Sequence, residues 1–152
     1  MAISPTDLFS ILNELIQTCK DGQEGFLTAA ENVSDTTLRE IFNRYSQQRA
    51  KFAGELQNEM HALGDANPEQ SSSLAGTLHR GWINIKSAIA NRDSHTILQE
   101  CERGEDAAVA HYRDVLGEEL PANIRAIVQR QFAEIFAAYE QVKQLRNGTK
   151  PA

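Results

Sequence analysis

The stretch from residue 100 to residue 108 holds the densest group of reactive side chains in the sequence. It reads Glu100-Cys101-Glu102-Arg103-Gly104-Glu105-Asp106-Ala107-Ala108, which gathers four carboxylates and one thiol within nine residues. At helical spacing Cys101 and Glu105 share a face with the apolar side chains of Leu98, Ala108 and Tyr112. At least one carboxylate is therefore expected to point into the protein core, which makes this stretch the first candidate site.

Nucleophilic chemistry finds little support in the same stretch. Cys101 lies among acids, which should raise the pKa of its thiol and so make it less reactive. Cys19 and Cys101 are far apart in the sequence and form no C-x-x-C pair, so both are expected to be reduced, partly buried thiols. The sequence also contains no glycine-rich phosphate loop between a strand and a helix.

Composition limits the classes of protein to which the chain can belong. The 152 residues are enough for one domain with a core of ordinary size, and the formal net charge is -6. No basic cluster is present that would attract nucleic acid or an anionic membrane. The first residues lack the pattern of a signal peptide, and no apolar run approaches about 18 residues. We therefore expect a cytoplasmic protein without a nucleic-acid or membrane partner.

Prolines, glycines and capping residues divide the chain into five predicted helices. The first helix runs from Ser4 to about Asn32, and the second follows a turn at 33–35 and ends at Gly64. The third runs from about Ser73 to Asn91. The fourth begins at Asp93 or Ser94 and ends at Leu116, and the fifth runs from Pro121 to near Gly148. The third of these helices carries Trp82. We expect one domain over residues 1–148 and a frayed tail over 149–152.

Helix lengths indicate how the predicted helices pack. Four helices are long, at roughly 35 to 43 Å with a rise of 1.5 Å per residue, and can lie side by side. Short turns join the first two and the last two into antiparallel hairpins. The chain between the hairpins is long enough to return along the bundle. The predicted fold is all-α, a four-helix bundle with one long crossover that contains an additional shorter helix; a five-helix up-and-down bundle is the alternative.

Three segments carry a resemblance to a known family. They are Leu15-Ile16-Gln17-Thr18-Cys19-Lys20-Asp21-Gly22-Gln23-Glu24-Gly25-Phe26, Leu78-His79-Arg80-Gly81-Trp82, and the stretch from Glu100 to Ala108. Together they resemble an uncharacterised bacterial family of ferritin-like four-helix-bundle proteins, catalogued as a domain of unknown function. The resemblance implies the ferritin-like crossover bundle and implies no activity.

The ferritin-like resemblance raises the question of a di-iron site. Such a site takes a Glu from each of two helices and a Glu-x-x-His pair from each of two others. The sequence contains no Glu-x-x-His or Asp-x-x-His. Metal ligands would therefore have to be atypical, and the candidates are Glu24, Glu102, Glu105 and His111, binding iron or manganese. We predict no cofactor and keep this metal site as the alternative.

A metal-free polar network is the preferred interpretation of the middle of the bundle. Arg49 and Glu105 lie near the middle of their helices and close to the inward stripe, the face on which apolar residues recur at helical spacing. Opposite charges at one depth of the bundle should pair. The amide side chains of Gln23, Gln48 and Gln131 can add hydrogen bonds at the same level.

Burial and packing can be predicted from the same stripes. Tyr45, Phe52, Ile127, Phe132 and Ile135 should be among the most buried side chains. Gly22 and Gly104 lie near the midpoints of two neighbouring helices, so they are expected to mark a close approach of the two backbones. Gly104→Leu should then overpack the interface and destabilise the protein by roughly 1 to 3 kcal/mol.

The function is the least determined part of the prediction. We favour a non-enzymatic helical protein that acts by self-association or by binding a protein partner, with a stress response as one setting. A carboxylate-rich metal-binding or oxidase bundle is the alternative. A third hypothesis, a small-molecule binder with a cavity beside Trp82, has no positive support in the sequence.

Overall fold

Every regular element that the structure describes is a helix, which confirms the all-helical prediction. A computed structural model describes residues 3–64, 82, 84–90 and 93–149. The helices are α1 (Pro5–Asn32), α2 (Thr36–Ala62), α3 (Ile85–Ala90), α4 (Ser94–Leu116) and α5 (Ala122–Asn147). No strand occurs within these described ranges.

The ends of the long helices follow the predicted capping residues. The Ser4 hydroxyl accepts a hydrogen bond from the Asp7 backbone N–H at 3.2 Å, and the Asp35 carboxylate accepts one from Leu38 N–H at 3.0 Å. The Asp93 carboxylate caps α4 in the same way. Gly64 follows α2 with a φ of 102°, a left-handed conformation that favours glycine and ends the helix. The predicted bounds of α1, α2, α4 and α5 are thus confirmed.

The four long helices pack side by side in the order α1, α2, α5, α4, and α4 closes the ring against α1. Helices α1 and α4 are antiparallel. Thr18 of α1 contacts His111 of α4, whereas Gly25, farther along α1, faces Gly104, earlier in α4, across the indole ring of Trp82. Helices α2 and α5 are also antiparallel, because Tyr45 contacts Gln141 whereas Glu59, later in α2, contacts Asn123, earlier in α5. Since α1 and α2 form an antiparallel hairpin, α2 and α4 are parallel, as predicted, and lie on a diagonal of the ring.

The helix expected around Trp82 differs from the prediction. Trp82 precedes α3 instead of lying within it, and the described helix contains six residues, from Ile85 to Ala90. The remainder of the predicted helix, which comprises residues 73–81, 83 and 91, lies outside the described residues. Trp82 inserts between α1 and α4, and its backbone carbonyl accepts a hydrogen bond from the Ile85 N–H at 3.1 Å where α3 begins, so the indole is held in the core just before the helix.

The core forms two apolar clusters stacked along the helices. Phe52 and Ile135 are each 1% exposed, as predicted, but Tyr45, Ile127 and Phe132 are only partly buried, so that part of the prediction is wrong. These three side chains lie at the edges of the inward stripe, where the seams between helices reach solvent. None of the described helices combines the length and the apolar character that crossing a membrane requires.

The end of the chain was predicted to be a frayed tail from residue 149. The Thr149 hydroxyl contacts Nδ1 of His95 at 2.9 Å and donates to the Arg146 carbonyl at 2.8 Å, so this residue is held against α4 and α5. Residues 150–152 lie outside the described range, and for them the tail remains a prediction.

Candidate functional site

Arg49 on α2 and Glu105 on α4 meet between the two core clusters, across the diagonal of the ring. Nη1 of Arg49 lies 2.5 Å from Oε1 of Glu105, and Nη2 lies 2.6 Å from Oε2. The side chains are 1% and 0% exposed. The guanidinium therefore engages both carboxylate oxygens at once, in the bidentate geometry that gives the strongest ion pairs between side chains.

The surroundings of Arg49 complete this arrangement. The Gln48 side-chain carbonyl accepts a hydrogen bond from Nε of Arg49 at 3.1 Å, so all three guanidinium nitrogens have a partner. The guanidinium carbon lies 5.5 Å from the centre of the Phe26 ring, within the range of a cation–π contact. Gly22 provides space for the arginine, because a Cβ there would lie 3.1 Å from Nη1.

The charges of Arg49 and Glu105 neutralise each other inside the protein. Burial by itself lowers the pKa of Arg49, but the charge and hydrogen bonds of Glu105 outweigh that effect and raise the pKa above its ordinary value. Arg49 therefore carries a fixed positive charge in the middle of the protein. A buried charge of this kind is stable only while its partner is present.

A second polar network lies next to the ion pair, in the half of the core that contains Cys19. The Tyr112 hydroxyl donates to the Gln131 side-chain carbonyl at 2.8 Å, and Cys19 Sγ lies 3.2 Å from the same hydroxyl. Because Tyr112 has one proton to donate, the Cys19 thiol must be the donor in the second contact. The Gln131 amide nitrogen donates to the Phe52 carbonyl at 3.3 Å and to Glu55 at 3.0 Å. This network connects the core to the α2–α5 surface.

Of the three glutamines that were predicted to join the ion pair, one does so, one belongs to the second network and one belongs to neither. Gln48 joins the Arg49 pair, whereas Gln131 belongs to the network of Tyr112. The backbone carbonyl of Gln23, and not its side chain, accepts a hydrogen bond from the Ser46 hydroxyl at 2.8 Å. The contact between Cys19 and Tyr112 was missed, because a thiol and a phenol on separate helices have no local spacing pattern that would connect them.

Both thiols are buried and unreactive in type. Burial raises the pKa of Cys19 from 9.0 to about 11. Burial also raises the pKa of Cys101 well above its ordinary value, with smaller contributions from Glu105 and Glu100. The predicted direction for Cys101 is confirmed, although burial and not the neighbouring acids is the largest cause.

This pKa shift predicts a loss of stability in alkaline solution. The Cys19 thiol ionises near pH 9.0 in the unfolded chain and near about 11 in the folded protein, so the folded state retains the proton that the unfolded state releases. The contribution of the Cys19 thiol to stability is fully present below pH 9 and falls between pH 9 and 11, by about 1.4 kcal/mol per pH unit. Urea unfolding at pH 8 and pH 10 should show a smaller decrease for Cys19→Ala than for the wild-type protein. Equal decreases would contradict the assignment.

The four candidate metal ligands do not come together. Glu24 is exposed on α1, and Glu102 pairs with Arg146 of α5. Nδ1 of His111 lies 2.6 Å from the Thr18 hydroxyl on the α1–α4 seam, while Glu105 is engaged by Arg49. Within the part of the chain that the structure describes, no group of three or more His, Cys, Asp or Glu side chains could hold a metal ion.

Gly25 and Gly104 face Trp82 from two sides and do not mark a close approach of backbones. A Cβ at Gly104 would lie 2.1 Å from Cε2 of Trp82, and one at Gly25 would lie 2.3 Å from Cε3. The indole ring thus lies between α1 and α4 and fills the space that both glycines leave. The predicted pair of Gly22 and Gly104 is therefore corrected to Gly25 and Gly104, while Gly22 makes room for Arg49.

Trp82 has further contacts on both sides of this notch. Its ring meets the Phe26 ring edge to face, with centroids 4.9 Å apart. Two residues later, the Asn84 backbone N–H donates to the buried Glu100 carboxylate at 2.8 Å. Glu100 is 4% exposed, and this hydrogen bond gives its buried carboxylate a donor.

Comparison with known proteins identifies a family. A family model described as a domain of unknown function, DUF2383, matches residues 7–118, which include most of α1 and all of α2, α3 and α4. No curated protein matches the chain.

Proposed function

The chain belongs to the DUF2383 family. We propose that it is a non-enzymatic helical protein that acts through its surface, by self-association or by binding a protein partner. The proposal includes a ferritin-like four-helix bundle with one long crossover, in a bacterial cytoplasm. The ring of four long helices supports this fold, as does the parallel direction of α2 and α4. A stress response is one setting for such a protein.

The Arg49–Glu105 ion pair is the observation that carries the proposal. It lies in the middle of the ring, the place where ferritin-like proteins with a di-iron centre hold their metal. Both oxygens of Glu105 are bound by the guanidinium, and the fixed charge of Arg49 would repel a divalent cation at this point. The buried charges of Arg49 and Glu105 are thus neutralised by each other, without a metal ion. The surface then becomes the part of the molecule that can act.

The metal-binding alternative gives the test. We expect purified protein exposed to ferrous iron or to manganese, then desalted, to retain less than stoichiometric metal by elemental analysis and to show no iron absorption band. Stoichiometric metal that is lost in Glu102→Ala or His111→Ala would contradict the proposal and favour the carboxylate-rich site. The exposed carboxylate of Glu40 on α2, which is not one of the four candidate ligands, provides a control substitution, Glu40→Ala.

A further inference from the structure

The side of the ring formed by α2 and α5 differs from the other three sides. Few backbone positions of α2 and α5 approach each other, and polar side chains bridge the seam instead. Tyr45 contacts Gln141, Arg130 donates to Glu55 at 2.7 Å, and Asn123 donates to Glu59 at 3.3 Å. An open groove of about 590 Å³ lies around the contact between Tyr45 and Gln141. Trp82 and α3 contact the opposite side of the ring, formed by α1 and α4.

Small and amide side chains form much of the groove wall. Ala137 and Ala138 line it on α5 together with Gln141 and Gln144, and Gln48 lines it on α2. Small residues let another helix approach closely, and amides can donate and accept hydrogen bonds across the contact. This face therefore allows the helices of another molecule to pack closely against α2 and α5.

Apart from the groups that bridge the seam, the exposed charges beside the groove are basic on α2 and acidic on α5. Arg44 and Lys51 lie four residues before and three residues after Gln48, so both project from the same face of α2, and both are exposed. Neither forms an ion pair with any described residue. On α5 the flanking charges are the carboxylates of Glu134 and Glu140, which line the groove. Glu134 is 49% exposed and has a long contact of 3.5 Å with Arg130.

The contact between Tyr45 and Gln141 fixes the relative heights of these charges. From this contact Lys51 lies six residues along α2, about 9 Å, and Glu134 lies seven residues back along α5, about 10 Å, in the same direction because the helices are antiparallel. Arg44 and Glu140 lie within about 3 Å of each other in height. Each base on α2 is therefore level with an acid on α5.

We propose that the α2–α5 face binds a second copy of this chain, with a two-fold axis parallel to the helices. This rotation keeps heights unchanged and exchanges left and right, so α2 of each copy lies over α5 of the other. Lys51 of one copy then faces Glu134 of the other, and Arg44 faces Glu140. Each pairing occurs twice. The inference rests on the proposed function and specifies its self-association surface.

The alternative two-fold axis, perpendicular to the helices, gives a poor match. It would lay α2 antiparallel on α2 and α5 antiparallel on α5. Contact centred on Ala137 would then place Glu134 of one copy against Glu140 of the other, and contact centred between Arg44 and Lys51 would place those two bases together. Like charges opposed in this way disfavour an interface.

Charge exchange across the interface tests the proposal. Sedimentation equilibrium of the full chain should show a homodimer. Lys51→Glu alone and Glu134→Lys alone should each raise the dimer Kd by at least about tenfold, since each change acts twice across the axis. The double variant Lys51→Glu/Glu134→Lys should restore most of the wild-type affinity. Lys86→Glu is the matched control, because Lys86 is exposed on α3, on the opposite side of the ring, and should leave the Kd unchanged.

Each other outcome has a definite meaning. A monomer at concentrations up to about 1 mM would overturn the dimer and leave partner binding as the proposed function. A dimer that neither single variant weakens would overturn this face while self-association itself stands. Single variants that weaken the dimer without rescue in the double variant would overturn the proposed pairing. Far-UV circular dichroism of each variant establishes that the exposed substitutions leave the fold intact.

Discussion

Replacing Glu105 with leucine should lower the free energy of unfolding by about 3 to 5 kcal/mol, one of the two largest effects that we expect from a single substitution. The cause is the partner that remains. Arg49 is 1% exposed and has no access to water that could replace the carboxylate, so its charge would be buried without compensation. Urea unfolding followed by circular dichroism would measure the loss.

The double variant separates the loss of the interaction from the cost of a stranded charge. Arg49→Met with Glu105→Leu removes both charges and keeps similar volumes, so its stability should lie within about 1 to 2 kcal/mol of the wild-type value. Asp106→Leu, at the exposed neighbouring position, should change stability by no more than about 0.5 kcal/mol. A Glu105→Leu protein as stable as the Asp106→Leu control would show that the pair does not hold a buried charge.

Gly104→Ala should destabilise the protein by about 3 kcal/mol, at the upper end of the range for overpacking, even though alanine favours the helix by about 1 kcal/mol. The added methyl group would lie 2.1 Å from the Trp82 ring. The ring cannot retreat, because Gly25 and the backbone of α1 close the other side of the notch. Either α4 must shift or the indole must leave the core.

Two further variants test this explanation of the Gly104 effect. Gly54 is also inside a helix but has no heavy atom within 4 Å of an added Cβ, so Gly54→Ala should stabilise the protein by up to about 1 kcal/mol. Combining Gly104→Ala with Trp82→Ala should cost much less than the sum of the two single changes, since the ring that causes the clash is gone. Strict additivity would mean that the two residues act independently.

The helices and the ion pair could be predicted because their signals are local. Capping residues such as Ser4 and Asp35 act within one helical turn, so the sequence around them contains the whole cause of each helix start. Arg49 and Glu105 could be matched because each interrupts an apolar stripe at a similar depth, and a buried charge requires a partner.

Other features depend on distances between helices that the sequence pattern does not contain. A helical stripe indicates the direction of each side chain but not the width of the gap that it faces. Tyr45 therefore bridges a wide seam to Gln141 instead of filling the core, and Phe132 is partly covered by the Arg113 guanidinium 5.8 Å away. The place of Trp82 between Gly25 and Gly104 joins three segments that are distant in the sequence, so no local spacing could reveal it.

The enclosed position of Trp82 also makes it a fluorescence probe of the packing between α1 and α4. It is the only tryptophan in the chain, and its indole is 1% exposed. Its fluorescence emission should be blue-shifted while the ring lies between the two glycines and should move to longer wavelength when water reaches it. The α2–α5 face is on the other side of the ring of helices, so association there should leave the emission wavelength unchanged. Spectral shift and sedimentation thus report on two different sides of the same molecule.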